Sequence, residues 1–470
     1  MVVILMISSL GRRNDWWVTR KSNEGSVFEV ARDELRYVNE KMAERRIQLI
    51  VGPRRVGKST VMHQSIDHLL KSGIDPKRIL FFSCDDPNIF DGKINIGNII
   101  DYYTNDILHE SVNNLDDKIY IFIDEIHKQP DWQLWLKSYY DPGYKIKFVV
   151  SGSSASHLFD GSKESLLGRT DIIRMLPMGL YQFCKFWAVY KKADKINEVI
   201  KHIPELNFYE NPVEYFETVY EKEWVWDNYK PYVNQALQEF ILIGGYPEYF
   251  SEIDLRLWQK RLVDDIIGQG LYRDIVSIHK INSPDKLEKL LFFISDNNGK
   301  DFNMKTIADT IGCDNETVNN YLTYLSQAYM TIILSIYSSN TGKILRRNKK
   351  LYLTDTGPAN AMLRLNSIDE TRSGELIESI CVRDAFNVCE NNFWSLHYWR
   401  EKDNEVDFVI DRKADIIPVE VKYRNDIKPI DFKQFKHAFP DKNIPVYIVI
   451  TKDLLKKADD ILYIPFWLIR

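Results

Sequence analysis

The chain has 470 residues, of which 44% are hydrophobic and 27% charged, with a formal net charge of -5. That length exceeds what one hydrophobic core fills, so about two to four domains are expected, and the mild negative charge excludes any global attraction to nucleic acid, leaving only local patches. Five scattered cysteines (Cys84, Cys184, Cys313, Cys381 and Cys389) form no Cys-x-x-Cys, which argues against a disulfide frame or a zinc site and for reduced thiols in the cytoplasm.

Residues 1–45 form an N-terminal segment whose apolar start, Met1 to Ile7, is too short to span a membrane and lacks the basic stretch that precedes a signal sequence. No later run is long enough either, so no membrane partner is expected. Residues 46–178 alternate strand-like and helix-like runs, with strands predicted at Gln48–Val51, Ile79–Ser83, Ile119–Asp124, Lys147–Ser151 and Ile172–Leu176. This is the pattern of an α/β domain with a parallel sheet between helices. The first strand runs into Gly52, Pro53, Arg54, Arg55, Val56, Gly57, Lys58 and Ser59, followed by Thr60, which is a complete phosphate-binding loop. Its glycines let the backbone wrap an anion, and the helix that starts there points its N–H groups at the phosphates. Lys58 is expected to reach the terminal phosphates and Ser59 to place a hydroxyl on Mg²⁺. Arg54 and Arg55 are read equally as phosphate contacts or as solvated positions.

The strand Ile119–Asp124 supplies the second half of an ATP site. Acidic residues directly after a buried strand lie at the carboxyl edge of a parallel sheet, beside such a loop. Asp124 is the expected Mg²⁺ partner, and Glu125 the residue that polarises the attacking water. The next strand, expected between these two, ends in Ser151-Gly-Ser153. Ser151 or Ser153 either bonds the water or the γ-phosphate, or makes a turn. Arg169, in Gly168-Arg169, lies away from its own loop. It is read as an arginine finger acting on a neighbouring subunit's nucleotide, or as a surface ion pair.

Residues 179–280 turn helical and aromatic, interrupted at Gly244-Gly245-Tyr246-Pro247. Residues 281–365 carry helix-turn-helix spacing: Asn303 precedes one helix, Gly312 makes the turn, and Asp314 caps a second helix with Val318, Leu322 and Leu325 on one face. That second helix is expected to expose Asn315, Glu316, Asn319, Asn320 and Thr323. None of these neutralises phosphate, so the segment Lys343 to Lys350 is read as a basic wing that supplies the missing charge. DNA contact and a structural or subunit-packing role both stand for this unit.

Residues 366–470 read as a helix, a hairpin, a strand, a helix and a strand. In Pro418-Val-Glu-Val-Lys422, Glu420 and Lys422 share one face, and upstream Glu405 and Asp407 share another. Asp407, Glu420 and Lys422 resemble the Asp…Glu-x-Lys pattern of restriction-type nucleases, in which carboxylates hold Mg²⁺ and the lysine helps activate water. Glu378, on the preceding helix, matches the carboxylate that completes that set. The other reading is a degenerate nuclease fold whose charges bind DNA ends or form an ion-pair network.

The ordered set Gly52 to Ser59, Ile123-Asp-Glu-Ile126, Ser151-Gly-Ser153, Gly168-Arg169 and Gly244-Gly-Tyr-Pro-Glu248 resembles the archaeal and bacterial AAA-type ATP-binding proteins with a C-terminal restriction-endonuclease-like domain of unassigned function. The resemblance runs from about Trp16 to the end. It implies an AAA+ P-loop core, a helical lid, a winged helix and a PD-(D/E)xK nuclease-like α/β domain. It does not fix a biological role. The expectation is an ATP-hydrolysing homo-oligomer, a ring or partial ring, that uses ATP and Mg²⁺ and has DNA as a partner. The rival is a regulatory ATP switch whose nuclease-like domain is inactive and binds a protein.

Overall fold

A computed structural model describes residues 2–21, 29–89, 94–152, 166–251, 254–276, 279–340, 342, 348–427 and 430–470. Ser153 and positions 343–347 of the expected basic wing lie outside these residues. The chain divides into two compact units, Met1–Met175 and Leu176–Arg470. Among the described residues no helix is long and apolar enough to cross a membrane.

The first unit is built on five parallel strands in the order β2-β3-β4-β1-β5: β1 (Ile47–Val51), β2 (Ile79–Ser83), β3 (Ile119–Asp124), β4 (Ile146–Gly152) and β5 (Thr170–Arg174). The residues of β1, β2 and β4 are buried throughout, as expected of strands covered on both faces. β4 lies between β1 and β3, so the phosphate loop after β1 and the acids after β3 flank the tip of β4. β5 begins two residues before its expected start. Register with β1, from Ile47↔Thr170 to Val51↔Arg174, overrides the polar Thr170 and Asp171, and Asp171 is neutralised by Arg46 at 3.0 Å.

β2 is an edge strand, and its free backbone groups are covered by side chains from the N-terminal segment. Asn14 both donates to the Phe81 carbonyl (2.8 Å) and accepts from the Phe81 N–H (2.6 Å), while Trp16 and Trp17 donate to the Ile79 carbonyl. Asn14, Trp16 and Trp17 of the N-terminal segment therefore form part of the structure of this unit.

The second unit opens with helices, among them Leu180–Tyr190, Pro212–Tyr220 and Glu223–Ile243, the last ending at Gly244. The Gly244-Gly245 pair is a site of close backbone approach. Gly244 has φ +79°, and a Cβ there would sit 1.9 Å from Asp355 Oδ1; a Cβ on Gly245 would sit 2.3 Å from the Met178 carbonyl oxygen. Gly245 N–H donates to Asp355 Oδ2 at 2.8 Å, and Met178 N–H to the Gly245 carbonyl at 2.7 Å. The glycine motif thus makes room for a buried carboxylate that also caps the helix Thr356–Met362.

The helix-turn-helix segment forms as its spacing predicts. Met304–Ile311 and Asn315–Gln327 are joined through Gly312 in the left-handed region and capped by Asn303 and Asp314. Val318, Leu322 and Leu325 are buried in one cluster, and Asn315, Glu316, Asn319, Asn320 and Thr323 are exposed. The strands that flank these helices do not stop at residue 365. β6 (Asp301–Phe302), β7 (Thr331–Ile336) and β8 (Lys349–Leu353) join β9 (Ser395–Glu401), β10 (Asn404–Asp411), β11 (Ile416–Lys422), β12 (Tyr447–Thr451), β13 (Lys456–Ala458) and β14 (Ile461–Pro465) in one nine-stranded sheet. The junction is a short parallel pairing, Ser335↔His397 and Ile336↔Tyr398.

Candidate functional site

The phosphate loop takes the backbone its glycines permit. Gly52 has φ +156°, and a Cβ there would lie 2.0 Å from the Met175 carbonyl oxygen; Gly57 has φ +96° at the start of the helix Lys58–Lys71. Gly52, Pro53, Val56 and Lys58 are buried, Arg54, Gly57 and Thr60 half-buried, and Arg55 and Ser59 exposed. Lys58 Nζ donates to the carbonyls of Gly52 (2.9 Å) and Pro53 (2.8 Å), so its ammonium is turned into the loop it serves. Arg32, buried and absent from the sequence reading, donates to the Val56 carbonyl at 2.8 Å and pairs with Glu34 at 2.9 Å. It braces the outside of the loop. No motif announces it, because it lies 24 residues upstream of its acceptor.

The acidic half converges on the same place. Ser59 Oγ donates to Asp124 Oδ2 at 2.7 Å, and Ser151 Oγ donates to the other oxygen, Oδ1. Ser151 Oγ also accepts from the Glu125 N–H at 3.0 Å. One serine at the tip of β4 therefore holds both acids at the tip of β3. Glu125 has φ +50°, a left-handed conformation that a residue with a Cβ adopts at a cost of roughly 1–3 kcal/mol and that clusters at functional sites. Burial pushes its carboxyl above the usual range, opposed by the positive charge of Lys58 and reinforced by Asp124. His127 Nδ1 lies 3.5 Å from Glu125 Oε2. Arg169 pairs through Nε and Nη2 with both oxygens of Asp141, at 2.7 and 3.2 Å, on the surface of its own unit.

In the second unit, Asp407, Glu420, Lys422 and Glu378 share one cluster, joined by two residues the sequence reading did not place there. The β10–β11 ladder runs regularly to Phe408↔Val419 and then parts. Beyond that point side chains replace backbone: Asp407 N–H donates to Glu420 Oε2 at 3.2 Å, and Val421 N–H to Asp407 Oδ2 at 2.7 Å. On its other side β10 bulges against β9 between Val406 and Val409, which re-aims Asp407. Lys422 Nζ lies 2.5 Å from Glu420 Oε1 and 3.9 Å from Asp407 Oδ2. Lys350, from β8, lies 2.5 Å from Glu405, 3.3 Å from Glu378 and 3.7 Å from Asp407. Tyr352 donates to Glu378 Oε1 at 2.7 Å. Lys350 is only 4% exposed, so it is not a solvent-facing residue of a basic wing, as its sequence neighbours suggest.

Burial and the charge of Asp407 push Glu378 up to about 7 and Glu420 up to about 8, against the pull of the lysines. Burial pulls Lys350 and Lys422 down, but the surrounding acids, with Tyr352 beside Lys350, leave both ammoniums raised. The donors are hard oxygens of the kind Mg²⁺ and Mn²⁺ take. Among the described residues, however, no three His, Cys, Asp or Glu side chains gather as a ligand set. Glu378 reaches Asp407 through Lys350, so the expected trio of Glu378, Asp407 and Glu420 does not fit one ion as arranged.

Residues 44–184 match the family described as AAA domain. Residues 234–369 and 373–469 match two families described as domains of unknown function (DUF8612 and DUF4143). The chain is 24% identical over 422 residues to an uncharacterized protein of Methanocaldococcus jannaschii, covering 89% of this chain and 83% of that protein. It is 22% identical over 437 residues to one of Haemophilus influenzae, covering 90% and 94%. Among solved structures, the Walker-type ATPase of Pyrococcus abyssi aligns with a TM-score of 0.44 at 15% identity, over 74% of this chain and all but 1% of that one (99%). The ORC2 protein of Aeropyrum pernix aligns at 0.38 and 9% identity, over 77% and 95%. The loop, the parallel sheet and the family match agree: residues 44–184 have the α/β P-loop fold and match the AAA domain family over this part of the chain.

Proposed function

We propose that this chain binds and hydrolyses ATP in its AAA domain and that nucleotide state governs a restriction-endonuclease-like module in residues 366–470. The observation that carries the first part is the joint grip of Ser59 and Ser151 on Asp124, with Glu125 fixed by the same Ser151. Ser59 and Asp124 are the residues that would hold Mg²⁺, whose charge supplies neutralisation of the phosphates. A bound phosphate offers Lys58 a charged acceptor in place of the loop carbonyls it now uses. Glu125, with its raised basicity, takes the role of orienting and deprotonating water. Arg169 exchanges Asp141 for a neighbouring subunit's nucleotide in a homo-oligomeric ring or partial ring. The location that goes with this reading is the cytoplasm, where five unpaired thiols stay reduced. Magnesium-dependent release of phosphate from ATP by the purified chain tests the proposal, and its absence across protein concentrations overturns it.

For the module, the element order favours a nuclease-like fold: the helix Glu370–Asn392, the antiparallel run β9-β10-β11, the helix Lys433–Ala438, then β12 parallel to β11. The second reading, an ATP switch whose module cuts nothing and binds a protein, is favoured by the two lysines already set among its carboxylates. Cleavage of plasmid or single-stranded DNA with Mg²⁺, with and without ATP, separates the two.

A further inference from the structure

β8 has two differently committed faces. Leu351 and Leu353 enter the hydrophobic cluster of the helix-turn-helix segment, with Val318, Leu322 and Leu325. Lys350 and Tyr352 alternate onto the opposite face and meet Glu378 on the helix Glu370–Asn392 and, for Lys350, Glu405 and Asp407 on β10. Lys350 is thus contributed to the C-terminal cluster by a strand that precedes the module in sequence and packs its other side elsewhere.

A buried ammonium is costly unless it is paired, and three carboxylates in one place repel one another unless a cation lies among them. Each satisfies the other here. We propose that Lys350 is the resident cation of this cluster, set where a divalent ion would otherwise balance Glu378, Glu405 and Asp407, and that it keeps the cluster metal-free. Lys422 plays the companion part for Glu420. The inference deepens the nuclease-like reading by naming what controls the site, and rests on that reading only for the expectation of cleavage. Metal entry then requires β8 to withdraw Lys350, which ties the cluster to the packing of the helix-turn-helix segment on the other face of the same strand.

The test is Mn²⁺ binding to the full chain without nucleotide, by calorimetry and by the shift in unfolding temperature, in wild type, Asp407→Asn, Lys350→Met and the double variant. Wild type and Asp407→Asn should bind alike, showing no ion at the cluster. Lys350→Met removes a unit charge from about 4 Å away and should bind Mn²⁺ about tenfold tighter or more, raising its unfolding temperature with metal. The double variant should lose that gain. Mn²⁺ binding to wild type that disappears in Asp407→Asn overturns the proposal, as does a Lys350→Met protein with no gain. Should Lys350→Met not fold in the absence of metal, Lys350→Gln replaces it. Folding recovered by Mn²⁺ in either variant counts as binding, and failure to recover in both counts against the proposal. Plasmid cleavage is assayed in parallel: metal uptake by Lys350→Met without cleavage sinks the nuclease reading and leaves this inference standing.

Discussion

At the tip of β3, Asp124 is held by two hydroxyls; where β10 and β11 part, Asp407 and Glu420 are held by a lysine and by backbone N–H groups, with a second lysine beyond. Both arrangements hold these carboxylates by hydrogen bonds, but they differ in charge. A serine hydroxyl orients a carboxylate without neutralising it, whereas a lysine does both. Carboxylates at strand ends are therefore oriented by neutral hydroxyls in one region and balanced by ammonium groups in the other. A carboxylate motif read without its counter-charges does not distinguish the two.

The sharpest way to break this comparison is at Glu125. Glu125→Gln keeps the hydrogen bond from its N–H to Ser151 and the shape of the side chain but removes the base. ATP turnover should fall about 10²- to 10⁴-fold, the usual worth of a positioned base, with nucleotide affinity retained. Lys58→Ala should instead lose affinity, because it deletes the charged contact to the phosphates. Phosphate release and nucleotide titration on both variants check this. Equal turnover in wild type and Glu125→Gln removes the carboxylate from the reaction.

How much of this was legible follows from the range of the interactions. The phosphate loop is local: eight consecutive residues set both its backbone and its chemistry. The nearness of Ser59, Asp124 and Ser151 is readable one step further, because three strand ends of one parallel sheet come together, but the bond of Ser151 to Asp124 is not: the sequence points that serine at the water or the γ-phosphate, or to a turn. Lys350 was not readable. In Lys349-Lys-Leu-Tyr-Leu353 nothing local marks Lys350 and Tyr352 as buried; they meet Glu378 of the later helix Glu370–Asn392 and, for Lys350, Glu405 and Asp407 of β10. The sheet that runs on from β7 into β9 rests on two residue pairs more than sixty positions apart, a contact with no local signature. Arg32 escapes for the same reason, and the three strands β12, β13 and β14 that follow the helix Lys433–Ala438 stand in the sequence pattern as one.

Gly244 offers the next largest effect, and it concerns the second unit alone. Gly244→Ala would place a methyl group against Asp355 Oδ1 and force a left-handed backbone onto a residue that resists it. A loss of about 3 kcal/mol in the stability of this unit is expected, from strain and from displacement of a buried carboxylate. Chemical denaturation followed by a probe in residues 176–470 measures it. A change below about 0.5 kcal/mol, the range of ordinary surface substitutions, would show that the loop simply moves aside.

Asp355 itself gives a pH signature. Burial raises it to about 6, against the pull of Arg383 and the N–H groups of Gly245 and Gly357, with Asp384 pushing upward. Its unfolded value is about 3.9, so between those values the folded state holds a proton that the unfolded chain has released. The stability linked to this proton is full below about pH 4 and is lost as pH rises through 6. Asp355→Asn does not titrate. The unfolding free energy of wild type minus that of the variant should therefore fall by about 2 kcal/mol between pH 4 and 7 and be flat above. A rising difference would mean that the pull of Arg383 outweighs burial.

The smallest effect on stability is expected at Arg169, and its smallness is what makes it informative. Its partner Asp141 is exposed, and ion pairs of that kind contribute little that survives salt. Arg169→Ala should leave the unfolding transition unmoved. If the residue is only a surface pair, turnover stays unmoved as well. If it completes a neighbour's site, turnover falls by about 10²-fold or more while nucleotide affinity is kept, because the charge matters chiefly in the transition state. Mixing Arg169→Ala with Lys58→Ala should then recover part of the activity, since each subunit supplies the group the other lacks. Full turnover by a dilute monomer would confine Arg169 to its pair with Asp141.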